Sequence, residues 1–305
     1  MHPGLFLSIL ISLVTLGCSQ PRIMAEHERH QEVRPPIIVA VIDTGYDASN
    51  RSLDQYLLNM PFYDKTIHGW DFVENQAESD DVSGHGTMVA QIIAKSYYSG
   101  SWIKLMIIRY TRGIKGQNEI VGKSIQAFRY AIEHGAQIIN FSAEGPEKNT
   151  EEWAAISDAN NHGVLVVTAA GNEGKNVDVE ANKVYPANYQ LPNIISVGSI
   201  QEDGQLSSYS NWGNSVDVAA PGGAFGNYKN VELYGQGTSF STAYVTKVAA
   251  ALLYVHPGLS PFLIKTIIEA SVDSHPGLKG KIKSGGSVNI KKALAMARFK
   301  TVVTR

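Results

Sequence analysis

Three residue types that can act together in nucleophilic catalysis stand beside glycines in this chain. They are Asp43 in Val-Ile-Asp-Thr-Gly, His85 in Ser-Gly-His-Gly-Thr, and Ser239 in Gly-Thr-Ser-Phe-Ser. A serine hydroxyl becomes an effective nucleophile only when a histidine takes its proton and a carboxylate orients and stabilises that histidine. The three segments together therefore predict acyl transfer through a covalent serine intermediate.

Each residue alone has a simpler explanation. Aspartates after a strand, like Asp43, also occur in aspartic proteases and phosphoryl-transfer enzymes. Thr238 or Ser239 could serve only as the N-cap of a helix. Asn172, in Ala-Ala-Gly-Asn-Glu-Gly, could either occupy a left-handed turn or direct its amide at an oxyanion. His85 differs from most of the nine histidines because glycines flank it on both sides.

The elements that must position these residues follow an alternating pattern. Continuous apolar runs predict buried strands at residues 37–42, 105–108, 137–141, 164–168 and 194–197. Helical segments are predicted at residues 86–96, 123–134, 151–162, 238–254, 261–270 and 290–298. Strands separated by such helices imply parallel crossovers. We therefore expect an α/β fold, doubly wound, with a mostly parallel central sheet, helices on both faces, and Asp43 at the carboxyl end of the first strand.

The chain order Asp, His, Ser distinguishes this set from other serine hydrolases. Together with Asn140-Phe141-Ser142 and Tyr185-Pro186-Ala187, the motifs resemble the subtilisin family (subtilases) over residues 37–297. The resemblance implies a subtilisin-like fold and serine endopeptidase activity. It makes Asp43, His85 and Ser239 the catalytic triad, with Asn172 and the backbone N–H of Ser239 as the oxyanion hole. The substrate-binding residues that it implies are Ser142, Ala143, Glu144, Gly145, Ala170 and Gly171.

Glu144 departs from the family pattern, in which glycine is usual near this position. A carboxylate at the pocket rim leads to the hypothesis of a preference for a basic residue before the cut bond; a solvated loop glutamate is the alternative. The resemblance also allows a structural calcium ion, with Asp71, Asp80 and Asp81 as candidates. No loop has a decisive ligand spacing, so no metal site is assigned and a solvated, carboxylate-rich loop is favoured.

The N-terminus has a composition of its own. Residues 5–16 are apolar and too few to span a bilayer comfortably, and they precede Cys18, the single cysteine of the 305-residue chain. We expect a signal peptide at residues 1–17, of the bacterial lipoprotein type with Cys18 lipidated; plain secretion is the alternative. Residues 18–36 are then a tether, and 37–305 the peptidase domain. One cysteine allows no disulfide within the chain.

The net charge of −2 and the absence of a basic run give no support to a nucleic-acid partner. The function predicted from the sequence is an exported serine endopeptidase, membrane-anchored or secreted, that acts on a protein or peptide substrate. Two alternatives stay open at this stage. One is an inactive peptide-binding pseudopeptidase, and the other is an acyl transferase or peptide ligase on the same scaffold.

Overall fold

The computed structural model describes residues 34–95, 102–113 and 119–303, and within them a nine-stranded sheet forms the centre of the fold. The strands are, in chain order, β1 (Ile37–Asp43), β2 (Met60–Phe62), β3 (Lys65–Ile67), β4 (Gly69–Asp71), β5 (Ile103–Arg109), β6 (Ile138–Phe141), β7 (Leu165–Ala169), β8 (Ile194–Ile200), β9 (Val218–Pro221), β10 (Gly223–Tyr228), β11 (Val231–Gln236), β12 (Asp273–Ser274) and β13 (Gly286–Ser287). The helices are α1 (His85–Ala94), α2 (Glu119–Glu133), α3 (Thr150–Asn161), α4 (Thr238–Val255), α5 (Pro261–Ala270) and α6 (Ile290–Val303).

The strand order across the sheet is β12-β13-β9-β8-β7-β6-β1-β5-β4. All neighbouring pairs are parallel except β12 and β13 at one edge. Strands β10 and β11 form a separate antiparallel hairpin. The predicted doubly wound, mostly parallel α/β architecture is confirmed.

Strand β1 explains why the central strands are apolar throughout. Val39 and Val41 pack into a core that includes α1 and α4, whereas Ala40 and Ile42 pack on the opposite face against α2 and α3. Because both faces of the sheet are covered, successive residues are all buried and no polar alternation appears in the sequence.

The predicted helices and central strands are present with shifted ends. Gly135 (φ 78°) and Gly163 (φ 72°) adopt the left-handed conformation expected after α2 and α3. The hairpin of β10 and β11 is not predicted from the sequence, because its residues alternate in exposure and include glycines rather than a continuous apolar run. Lys229 and Asn230 form its turn, both with positive φ.

The predicted signal peptide 1–17, Cys18 and most of the predicted tether lie outside the described residues. In the part of the chain that the structure describes, no helix combines the length and the apolar character needed to span a membrane.

Candidate active site

Asp43 is the last residue of β1 and is only 4% exposed. Its Oδ1 accepts a 2.8 Å hydrogen bond from the backbone N–H of Thr44. The strand therefore places a buried carboxylate at the carboxyl edge of the sheet, as the sequence predicts, and the next residue in the chain helps to orient it.

His85 is the first residue of α1, and its Nδ1 lies 2.7 Å from Oδ1 of Asp43. A carboxylate oxygen can only accept, so Nδ1 carries the proton and Nε2 is left with its lone pair. Burial of the ring acts to lower the pKa of His85, but the carboxylates of Asp43, Asp81 and Glu144 outweigh burial and raise the pKa above its ordinary value.

Glycines allow the loops of Asp43 and His85 to approach backbone to backbone. A Cβ on Gly86 would lie 2.3 Å from the carbonyl oxygen of Gly45, closer than any real contact allows. The N–H of Gly86 donates instead to the hydroxyl of Thr44, at 2.9 Å. Gly86 is thus required by the close approach of these loops, whereas a Cβ on Gly45 would lie 2.3 Å from the carbonyl oxygen of Ser79.

Ser239 is the second residue of α4 and is 8% exposed. Its hydroxyl donates to the backbone carbonyl of Ser142 at 3.2 Å, and the hydroxyl of Ser142 donates back to the carbonyl of Ser239 at 3.1 Å. No hydrogen bond joins Ser239 to His85 among the residues that the structure describes. Both nevertheless line one cavity of about 710 Å³, together with Asp43.

Asn172 lies in the loop after β7 and lines the same cavity. Its Oδ1 accepts hydrogen bonds from the backbone N–H of Thr238 at 2.8 Å and from the Thr238 hydroxyl at 3.1 Å. Since Oδ1 must face the Thr238 N–H, the orientation of the amide is fixed and its NH₂ group points away from Thr238. The N-cap of α4 is Gly237, so neither Thr238 nor Ser239 takes that role.

The predicted substrate-binding residues divide into two groups. Ser142, Ala143, Glu144 and Gly145 line the cavity, and Gly145 exchanges two backbone hydrogen bonds with Tyr185, of 2.9 and 2.8 Å. The other two predicted residues, Ala170 and Gly171, are buried in the adjoining loop and are not among the described lining residues.

Sequence reasoning misses several cavity-lining residues, among them Thr44, Tyr110, Lys175 and Lys183. Tyr110 directly follows β5, so its position at the same strand edge as Asp43 was a usable signal. The two lysines belong to loops without a distinguishing pattern. They bring positive charge to a cavity whose lining also includes the carboxylates of Glu144 and Glu173.

The aspartates considered as calcium ligands do not fit a metal site. Asp71 and Asp81 are both 0% exposed, so the favoured interpretation of a solvated loop is wrong for them. Asp71 pairs with Arg109 at 2.7 Å, and the oxygens of Asp81 accept hydrogen bonds from neighbouring groups. Only Asp80 is exposed. Within the described residues no cluster of three or more potential metal ligands occurs.

Known proteins are similar to this chain over most of its length. Residues 35–290 match the model of the subtilase family, Peptidase S8. A thermophilic serine proteinase of Bacillus sp. (strain AK1) is 33% identical over 81% of this chain and 59% of that protein. Thermitase of Thermoactinomyces vulgaris is 31% identical over 84% of this chain and 88% of that protein. The chain thus spans 59% of the length of the first relative and 88% of the second.

Among solved structures, a cold adapted subtilisin-like serine proteinase aligns with a TM-score of 0.68 and 27% identity, covering 84% of this chain and 87% of that one. The relatives are named as serine proteinases, which confirms the predicted class of serine-type endopeptidase. With a family model matching residues 35–290 and relatives above 30% identity, this chain belongs to the subtilase family.

Proposed function

We propose that this protein hydrolyses peptide bonds through an acyl intermediate on Ser239, with His85 as general base and then general acid. The observation that carries the proposal is the 2.7 Å hydrogen bond from Nδ1 of His85 to the buried carboxylate of Asp43. That bond fixes the tautomer in which Nε2 is free to accept a proton, and it stabilises the imidazolium that then forms.

Ser239 attacks the substrate carbonyl carbon while its proton passes to Nε2 of His85. His85 then donates the proton to the leaving amine, and water repeats the sequence to release the acid. In the free protein the Ser239 hydroxyl donates to Ser142, so it must turn toward His85 when substrate binds. Catalytic hydrogen bonds are often formed only in the complex, which makes this geometry compatible with the role.

The negative charge of the tetrahedral intermediate would be stabilised by Asn172 and the start of α4. The Asn172 amide is held by Thr238, so its NH₂ group is oriented before substrate arrives. The backbone N–H groups at the N-terminus of α4 favour negative charge at the same place. A hydrogen-bond donor that is already oriented stabilises the negative charge of the transition state most effectively, because it needs no reorganisation during the reaction.

We further propose that the substrate lies extended along the cavity wall formed by Ser142, Ala143, Glu144 and Gly145, as an added strand. A preference for lysine or arginine before the cut bond follows from the carboxylate of Glu144. Lys175 in the cavity lining opposes this preference, whereas Lys183 is paired with Glu180 at 2.6 Å and Glu173 adds a second carboxylate, so substrate profiling decides it.

Export is proposed from the sequence alone: a signal peptide at residues 1–17 and lipidation of Cys18, with residues 18–36 tethering the peptidase domain to a membrane. Mass spectrometry of the mature N-terminus tests this. A diacylated Cys18 is the expected result, and an unmodified N-terminus would replace the anchor with plain secretion.

Labelling with a fluorophosphonate tests the catalytic proposal directly. We expect covalent labelling of the wild type and none of Ser239→Ala at equal folded content. An unlabelled, well-folded wild type would favour the peptide-binding alternative. Product analysis separates hydrolysis from transfer, because a transferase or ligase joins an added amine nucleophile in preference to water.

A further inference from the structure

The carboxylate of Asp81 is buried between the two loops that carry the acid and the base. Its Oδ1 accepts from the Thr44 hydroxyl at 2.9 Å, the Ser83 N–H at 2.9 Å and the Gly84 N–H at 3.0 Å. Its Oδ2 accepts from the N–H of Thr87 at 3.0 Å and from the Thr87 hydroxyl at 2.7 Å. The two carboxylate oxygens of Asp81 thus accept hydrogen bonds from the loop after β1, from the loop before α1 and from the first turn of α1.

The segments joined in this way flank both members of the acid–base pair. Thr44 follows Asp43 directly, and Gly84 and Thr87 stand on either side of His85 in the chain. Helix α1 begins at His85 with Gly84 as N-cap, and Gly84 has no side chain to cap the free N–H groups. Asp81 supplies that cap from outside the helix through its bond to Thr87.

The environment of Asp81 keeps the carboxylate ionised. Burial acts to raise the pKa of Asp81, but hydrogen bonds from Thr87, Ser83 and Gly84 outweigh burial and lower the pKa below its ordinary value. The hairpin covers the same loop, since the Tyr228 hydroxyl donates to the backbone carbonyl of Asp81 at 2.9 Å.

We propose that Asp81 is a positioning residue. By accepting hydrogen bonds from both, it fixes the position of the Asp43 loop relative to the start of α1, the helix that begins with His85. The inference rests on the proposed function and adds Asp81 to Asp43, His85, Ser239 and Asn172. Asp81 does not touch the reacting atoms. It acts through Thr44 and through the first turn of α1.

The variant Asp81→Asn tests the proposal, because asparagine keeps the shape but turns one acceptor into a donor facing other donors. We expect the variant to fold and kcat to fall by up to about 10²-fold, the loss that a misplacement of about 1 Å can cause, with KM little changed. The acidic groups that raise the pKa of His85 are Asp43, Asp81 and Glu144. Asp81→Asn removes one of these charges and should lower the pKa of His85, which moves the acid limb of the pH profile of kcat to lower pH.

Asp47→Asn is the matched control. Asp47 is also buried, at 3% exposure, and its carboxylate accepts from Ser49 and from the N–H of Lys229, but its side chain touches neither Thr44 nor the loop of His85. We expect this variant to lose stability while kcat and the acid limb stay as in the wild type. Equal effects of the two variants on kcat would overturn the proposal.

A second pair of variants covers the case in which Asp81→Asn does not fold. Thr44→Val removes the hydroxyl that links Asp81 to the acid loop, and Thr44→Ser restores it. We expect a loss of kcat with valine and recovery with serine; a valine variant as active as wild type would overturn the proposal. If the wild type itself is not labelled at Ser239, the proposed function fails, whatever these variants do.

Discussion

Thr246 donates a 2.8 Å hydrogen bond to Oδ1 of Asn140, and both side chains are fully buried. The bond ties the middle of α4 to β6 across 106 positions of the chain. Asn140 in turn donates to the hydroxyl of Ser142 at 2.9 Å, which donates to the carbonyl of Ser239. A buried polar chain therefore runs from the centre of α4 back to the residue proposed as nucleophile.

Thr246→Val should lower the free energy of unfolding by about 1–3 kcal/mol, because it leaves the side-chain oxygen Oδ1 of Asn140 buried without its donor. Thr242→Val is the control. That hydroxyl donates to the Thr238 carbonyl within the same helix, where the backbone already supplies a donor, so we expect a smaller loss. Chemical denaturation measures both, and equal losses would mean that the bond to Asn140 is not the cause.

Asn172→Ala should reduce kcat and leave KM nearly unchanged, because the amide is needed only when the oxyanion forms. The expected loss is about 10²–10³-fold, a magnitude taken over from subtilisin, where the corresponding amide has been removed. Asn182→Ala is the control, since Asn182 lines the same cavity but its NH₂ group donates to the carbonyl of Asn176. A normal kcat in the Asn172 variant would exclude it from the oxyanion hole.

The pH profile should follow the raised pKa of His85. Only the neutral imidazole acts as base, so kcat/KM falls as the pH drops through a pKa above the ordinary value of about 6.5. Asp43→Asn removes the largest influence that raises this pKa, so the acid limb should move to lower pH. The maximal rate should fall about 10⁴-fold as the tautomer is lost. An acid limb that stays in place in this variant would mean that another group controls it.

Sequence patterns were sufficient for the fold because the central strands are buried on both faces. The run that ends at Asp43 predicts an interior parallel strand, and its last residue is then expected at the carboxyl edge. Motif order then paired Asp43 with His85 and Ser239. The hairpin of β10 and β11 could not be found in this way, because more than half of its strand residues are exposed.

Asp81 shows a second limit of sequence reasoning. Its neighbours Asp80 and Val82 are both exposed, so nothing in the local pattern indicates that Asp81 is completely buried. Its burial follows from partners 37 positions earlier and 6 positions later, at Thr44 and Thr87. From the sequence, Asp81 is a calcium-ligand candidate or a solvated side chain, whereas in the structure its carboxylate accepts hydrogen bonds from the first turn of α1.

Substrate preference should respond to Glu144. In a peptide library, we expect Glu144→Gln to lose enrichment of lysine and arginine before the cut bond, because the carboxylate at the cavity wall is then neutral. Lys175→Gln is the control and should change the enrichment in the opposite direction. A wild type with no enrichment of basic residues would remove the hypothesis, and Glu144 would then be only a loop residue at the rim.

Gly86→Ala should damage catalysis more than folding. The added Cβ would lie 2.3 Å from the Gly45 carbonyl oxygen and 3.1 Å from the N–H nitrogens of Gly45 and Thr44, so the two loops must separate. Since the loops carry Asp43 and His85, a displacement of about 1 Å could lower kcat by about 10²-fold. Gly122→Ala is the matched control: Gly122 lies in α2 with open space around its Cβ position, and the change should stabilise the protein by about 0.5–1 kcal/mol. Thermal unfolding and kcat, measured for both variants, test this expectation, and an unchanged kcat in Gly86→Ala would show that the loops tolerate separation.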